Sequence, residues 1–259
     1  MNILWDSKTY EKHFSFVPQY GENVLNLITK PSGCSAVDLG CGNGTLTAKL
    51  FERGFQVTGI DASEEMLSLA RTNYPHIPFL RGDALSFQLD VPADLIFSNS
   101  VFHWINKDLQ ETLLRNIAKN LSDDGELVCE FGGDGCAEAV HGTLEKCFEK
   151  RGLSYPRSVY FPTIGEYALL LERSGFRVES AMLFARPTPQ DAETGLLGWI
   201  DMFIKAPFNG MDALTKNAIL EETVALLKNR LFCNGIWYID YVRIQIRARK
   251  STRSCLKKQ

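Results

Sequence analysis

Nothing in this chain spaces cysteine the way a metal centre or a redox pair requires. The 259 residues hold seven Cys, an odd number, with no C-x-x-C. The thiols therefore read as reduced, of the kind kept in cytosolic proteins, and the expectation is a cytoplasmic protein with no bound metal. Also missing is any apolar run near the ~18 residues that a membrane-spanning helix needs. The stretch "MNILWDSKTYEKHF" lacks the apolar segment of a secretory leader. There is no basic excess either: 28 Lys plus Arg against 31 Asp plus Glu leave a net charge of -3. With no overall positive field, neither nucleic acid nor an anionic membrane is expected as a partner. The stretch "RARKSTRSCLKKQ" is basic and lacks acids, and reads as a solvated, frayed segment. No internal repeat or low-complexity segment is found.

What is present is ordinary globular composition, 45% hydrophobic and 23% charged, enough to bury one large α/β core. Short apolar stretches alternate with amphipathic ones: "CSAVDLG", "FQVTGID", "IPFLRGDA", "ADLIFSNS" and "ELVCEFG" read as strands, and "GTLTAKLFERG", "SEEMLSLARTNY", "DLQETLLRNIAKNL" and "AEAVHGTLEKCFEKRG" as helices. "SDDG" reads as a turn, Ser63 as an N-cap and Gly54 as the residue closing a helix. Such alternation predicts an α/β fold, a doubly wound, mostly parallel sheet covered on both faces. Toward the end the rhythm changes. "RVESAMLFARP" and the long alternating "GIWYIDYVRIQIRARK" predict an antiparallel hairpin at the sheet edge, with the helical residues 190–234 inserted between them. The whole reads as a single domain: a helical lead-in over 1–33, a core over 34–186, a helical cap over 187–235, a last strand over 236–250 and a basic tail over 251–259.

The sharpest local signal is "AVDLGCGNGTLTAKL", a buried strand that runs into Gly40, Gly42 and Gly44 and then a helix. Glycine admits positive φ and lets a ligand approach the backbone, and a helix N-terminus offers unpaired N–H groups to it. Asp61 closes the second strand, where doubly wound folds hold ribose hydroxyls. Asp83 closes the third, where a side chain can meet an adenine edge. Three such residues at successive strand ends form one row along the ligand edge of the sheet. The third glycine comes one residue too early for the dinucleotide fingerprint. Asp38 beside the turn is unwelcome to a pyrophosphate, but suits a ligand that carries an amino group and a sulfonium.

In "VDLGCGNG", "VTGIDASEEML", "FLRGDA" and "ADLIFSNSVFHW" the chain resembles the class I S-adenosylmethionine-dependent methyltransferases over roughly residues 20–185. The resemblance implies a seven-stranded sheet ending in an antiparallel hairpin, with S-adenosylmethionine as the cofactor and S-adenosylhomocysteine as its product. It places Asp38, Gly40, Cys41, Gly42, Asn43 and Gly44 under the methionine part, and Asp61 on the ribose diol. Ala62 and Met66 would lie against adenine, Asp83 and Ala84 at its edge, and Ser98 or Asn99 would face the sulfonium end. The lead-in "LWDSKTYEKHFSFV" is similar to the trans-aconitate methyltransferase-like enzymes of small molecules, which makes Tyr10 and His13 lid residues over the cofactor.

Methyl transfer asks chiefly for alignment of nucleophile, methyl carbon and sulfur. A base is needed for a phenol, amine or carbon acid, not for a carboxylate. The acceptor pocket is expected above the strand ends, between the 98–106 loop, the N-terminal segment and the insertion. His103 is the candidate general base; its competing reading is a structural histidine, and Trp104 reads as packing. Trp199, Met202 and Phe203 form a helical stripe that could line the pocket; Arg186 and Lys205 could bind an acidic acceptor; His141 reads as a surface residue. The expected activity is methylation of a small molecule at O, N or C, with a monomer and a homodimer both open. An RNA or protein methyltransferase, or a cofactor-binding protein without turnover, are the alternatives. Against a base- or glutamine-modifying enzyme, no [DN]-P-P-[YF] motif follows the fourth strand, which reads "SNSVFHW".

Overall fold

The computed structural model describes Gly21 and residues 23–251. Five strands alternate with helices through the first half of the chain: β1 (Ser35–Leu39), α1 (Thr45–Glu52), β2 (Gln56–Asp61), α2 (Glu64–Asn73), β3 (Phe79–Arg81), β4 (Ala93–Asn99), α3 (Gln110–Asn120) and β5 (Leu121–Gly132). There follow α4 (Glu138–Glu149), α5 (Ile164–Arg173), β6 (Phe176–Pro189), α6 (Gly195–Phe203), α7 (Ala213–Leu231), the two-residue β7 (Phe232–Cys233) and β8 (Ile236–Lys250). The main sheet runs β3-β2-β1-β4-β5-β8-β6. Its first five strands are parallel, and β8 lies antiparallel between β5 and β6. This is the doubly wound sheet that the sequence predicts, with α6 and α7 inserted before the last long strand.

Strand periodicity sorts the core into two faces. In β1, Val37 and Leu39 turn to one face and Ala36 to the other; in β4, Ile96 turns to the first, Leu95 and Phe97 to the second. The first face packs Leu113, Leu114 and Ile117 of α3 with Tyr167 and Leu171 of α5. The second packs α1 and α2 through Leu46, Leu50, Leu67 and Ala70. A third cluster joins α4 to the insertion through Leu144, Phe148, Trp199, Ile200 and Leu227. The expected "SDDG" turn is instead absorbed into β5. A bulge between the Ala93–Leu121 and Leu95–Glu126 pairs lets the strand begin at Leu121, with Asp124 at φ 60°.

Two buried polar links fix this frame. Tyr167 Oη donates to Gln110 Oε1 at 2.9 Å, and the Gln110 amide donates to the carbonyls of Phe102 and Ile105 at 2.8 and 2.7 Å. The 3-10 turn Phe102–Trp104 after β4 thus hangs from α3 and α5. Asp38, alone polar on its face of β1, accepts from Thr47 Oγ1 of α1 at 2.7 Å. Burial raises the Asp38 carboxyl to about 7, partly offset by the Thr47 bond.

Tyr167→Phe leaves Gln110 Oε1 buried without its donor, at an expected cost of about 1–2 kcal/mol, read from the urea midpoint. For Asp38 the sign is set by a folded pKa above the unfolded one: the native state keeps a proton that the unfolded chain releases. Its contribution is therefore full below about pH 4 and is lost as pH rises toward about 7. Melting of the Asp38→Asn variant, in which an amide replaces the titrating carboxyl, should show less decline across that window than the unaltered protein.

Candidate active site

The strand order reverses between β1 and β4, because the chain crosses from β3 at the edge back to the other side of β1. A cleft opens there at the strand ends, where open parallel sheets hold ligands. Its walls include Gly40 and Gly42, Asp61 to Met66, Arg81 to Leu85, and Asn99 to Val101 with Trp104 and Ile105. Gly40 stands at φ 78°, and a Cβ there would collide with the side chain of Val101. Only glycine lets this backbone form the floor of the cleft.

Asp61 ties the floor to the wall: Oδ2 accepts from Gly42 N and Oδ1 from Ser63 N, each at 2.8 Å. Burial raises its pKa, and the backbone bonds from Ser63, Gly42 and Ala62 act in the opposite direction. Ser63 caps α2 by accepting from Met66 N at 3.3 Å, which holds the Met66 side chain against the glycine turn. Asp83 is exposed and bonds Leu85 N at 2.9 Å. Asn99 Oδ1 is buried and has no hydrogen-bond partner among the described residues.

The structure thus gathers Gly40, Gly42, Asp61, Ala62, Met66, Asp83, Ala84 and Asn99 on one cleft. Five other expected residues stand behind it. Asp38 points into the α1 face toward Thr47. Cys41 is buried with Leu46 and Phe79 in the core of that face. Asn43 Oδ1 accepts from the backbone and hydroxyl of Thr45. Gly44 is the left-handed N-cap of α1. Ser98 Oγ donates to Leu39 O at 2.7 Å, linking β4 to β1. Tyr10 and His13 lie outside the described residues. The cleft fits S-adenosylmethionine: two carboxylates at successive strand ends for hydroxyl and amine donors, an unpaired amide oxygen for an ammonium group, and Ala62, Met66, Leu85 and Ile105 for a purine.

A second cavity adjoins the first and shares Ser100 and Trp104 with it. It is roofed by Trp199, Phe203 and Ile204 of the insertion. Ser100, a non-glycine residue at φ 63°, marks the junction. At one end lies Glu130, fully buried. Its carboxylate accepts from Arg186 at 2.6 and 2.8 Å, from Arg243 Nε at 3.0 Å and from Gln245 at 2.7 Å. Arg243 also donates to Ser100 Oγ at 2.6 Å.

Both histidines of this cavity are buried. His103 Nδ1 accepts from Gly132 N at 3.3 Å, so in the neutral ring the proton sits on Nε2. Burial, and then the Arg243 charge, push its pKa well below the usual value. The ring is a neutral hydrogen-bond donor whose acceptor nitrogen is already engaged. His141 is buried rather than on the surface, 2.7 Å from Tyr155 Oη through Nδ1. Burial, seconded by Arg157, lowers it to about 4. Trp104 does more than pack, since it lines both cavities. Neither Ser100 nor the Glu130–Arg243 pair stood out in the sequence, because no local motif marks them; only the tertiary pairing of β5 with β8 joins them.

Residues 36–125 match the family described as a methyltransferase domain. An uncharacterized methyltransferase of Schizosaccharomyces pombe is 28% identical over 258 residues, which cover 95% of this chain and 98% of that protein. A trans-aconitate 2-methyltransferase of Azoarcus sp. is 34% identical over 129 residues, 49% of this chain; the match spans only half of that relative's length. Among solved structures, the phosphoethanolamine N-methyltransferase 2 of Haemonchus contortus, in complex with S-adenosylhomocysteine, shares the fold. The TM-score is 0.59 at 18% identity, over 95% of this chain and 56% of that one. Glycine turn, row of acids, sheet order and the domain matched over residues 36–125 together support an S-adenosylmethionine-dependent methyltransferase with the class I fold.

Proposed function

We propose that the enzyme methylates a small molecule that enters the second cavity. The observation that carries this reading is the pair of walls, Ser100 and Trp104, common to cleft and cavity. When bound, S-adenosylmethionine supplies an electrophilic methyl group, taken by an acceptor lone pair as the carbon–sulfur bond breaks with its electrons left on sulfur. Asp61 would accept from ribose hydroxyls with the lone pairs its two backbone bonds leave. Asp83 would meet the purine edge, and Asn99 Oδ1 would take the ammonium. The roof of Trp199, Phe203 and Ile204 excludes water from the reacting groups.

The aromatic roof over the cavity supports a small acceptor over a polymer. Methylation of RNA or of folded protein, with none of small molecules, would overturn the reading. The free cysteines support a reducing, cytoplasmic setting.

Calorimetry should detect S-adenosylhomocysteine binding, weakened in Asp61→Ala by about 1.5–3 kcal/mol for lost charge-assisted hydrogen bonds. Because His103 stays neutral far below its usual range, it contributes no inflection near pH 6.5 to the methyl-transfer rate. A rate that falls with protonation at that pH in the unaltered protein, but not in His103→Asn, would assign His103 the role of base after all.

A further inference from the structure

The last long strand writes a polar ladder into an apolar one. In β8, Tyr241, Arg243 and Gln245 alternate with Ile244 and Ile246, which belong to the core shared with α3 and α5. The pairing of Glu130 with Gln245 and of Gly132 with Arg243 puts the ladder on the same face of the sheet as the Glu130 carboxylate. Arg186, across β8 on β6, claims both oxygens of that carboxylate. Arg243 reaches it through Nε alone, and its NH2 goes to the neutral hydroxyl of Ser100. Among the described residues, two guanidinium groups thus meet one carboxylate, and Arg243 is the one nearest the junction with the cofactor cleft. The rest of the cavity is largely aromatic: Trp104, Phe161, Trp199, Phe203 and Tyr241.

We propose that Arg243 is the specificity-determining residue for the acceptor, and that it holds the carboxylate of a singly charged acid whose apolar body lies among these aromatic rings. The inference rests on the assignment of the second cavity as the acceptor site. An arginine surrounded by low-dielectric walls binds a carboxylate strongly, whereas a second and third carboxylate on the ligand would meet, among the described residues of the cavity, only Arg186, which already holds both oxygens of Glu130. A carboxylate reaches the site already deprotonated. Its oxygen lone pair forms the new bond to carbon, no proton is removed, and the product is a neutral methyl ester. That agrees with a cavity in which His103 is held as a donor.

The test is calorimetry on the full protein saturated with S-adenosylhomocysteine, titrated with cinnamate, phenylacetate, cinnamamide and trans-aconitate. The two monoacids should bind, with cinnamamide about tenfold weaker or worse and trans-aconitate weaker than cinnamate. Arg243→Met should lose about tenfold for the monoacids while cinnamamide is unmoved, with Arg243→Lys in between. S-adenosylhomocysteine binding by each variant checks that it is folded; if Arg243→Met is not, the acid-against-amide comparison on the unaltered protein decides. Equal binding of acid and amide, preference for trans-aconitate, or a protein that binds S-adenosylhomocysteine but neither monoacid would overturn the inference. Failure of the cofactor site itself would appear separately, before any acid is added.

Discussion

The Asp61 carboxylate is the clasp of this molecule. It accepts one N–H from the glycine turn after β1 and another from the first turn of α2, each at 2.8 Å. Two segments separated by a whole βα unit are thereby held at a fixed distance, and that distance is the width of the cofactor cleft. The bonds also keep the side chain in one orientation. A residue that binds a ligand with its spare lone pairs must not have to be ordered at the moment of binding, because ordering costs conformational entropy. On the proposed reading, structural duty and ligand duty would coincide in this one group at a strand end.

The second cavity is organised differently. Its charged centre, Glu130 with Arg186, Arg243 and Gln245, is assembled from three strands that meet only in the folded sheet. Buried ion pairs are costly unless their hydrogen bonds are well satisfied; here the carboxylate accepts four. Such a cluster is weak evidence for stability and better evidence for a task. The cofactor half, in contrast, is built from backbone turns and helix ends in sequence-local units, and the family match over residues 36–125 falls on that half.

That contrast also sets how much was legible in the sequence. Alternating apolar and amphipathic stretches gave the doubly wound sheet, and the glycine turn with Asp61 and Asp83 marked its ligand edge, since each rests on local chemistry. Asp38 was misjudged in direction: its proximity to the turn is real, but the pleat aims it at Thr47 of α1, and strand parity could have revealed this, as Val37 and Leu39 flank it on the opposite face. Asn43, Gly44 and Ser98 likewise serve the backbone behind the cleft. His141 read as exposed because its own helix is amphipathic; the insertion that covers it comes from some sixty residues onward. Arg243 was invisible for the same reason, since its partner is 113 residues away.

The placement of β8 has a consequence for how the chain comes together. Strand β6 is bonded to the sheet only through β8, in the described structure, and β8 is the last of the described strands. As the polypeptide emerges from the ribosome, β1 to β5 can pair while more than a hundred residues are still unmade. β6 must wait beside an open edge until the final long strand slides into the gap. The nucleotide half can therefore mature early, and the second cavity closes last, with long loop closures that slow its assembly.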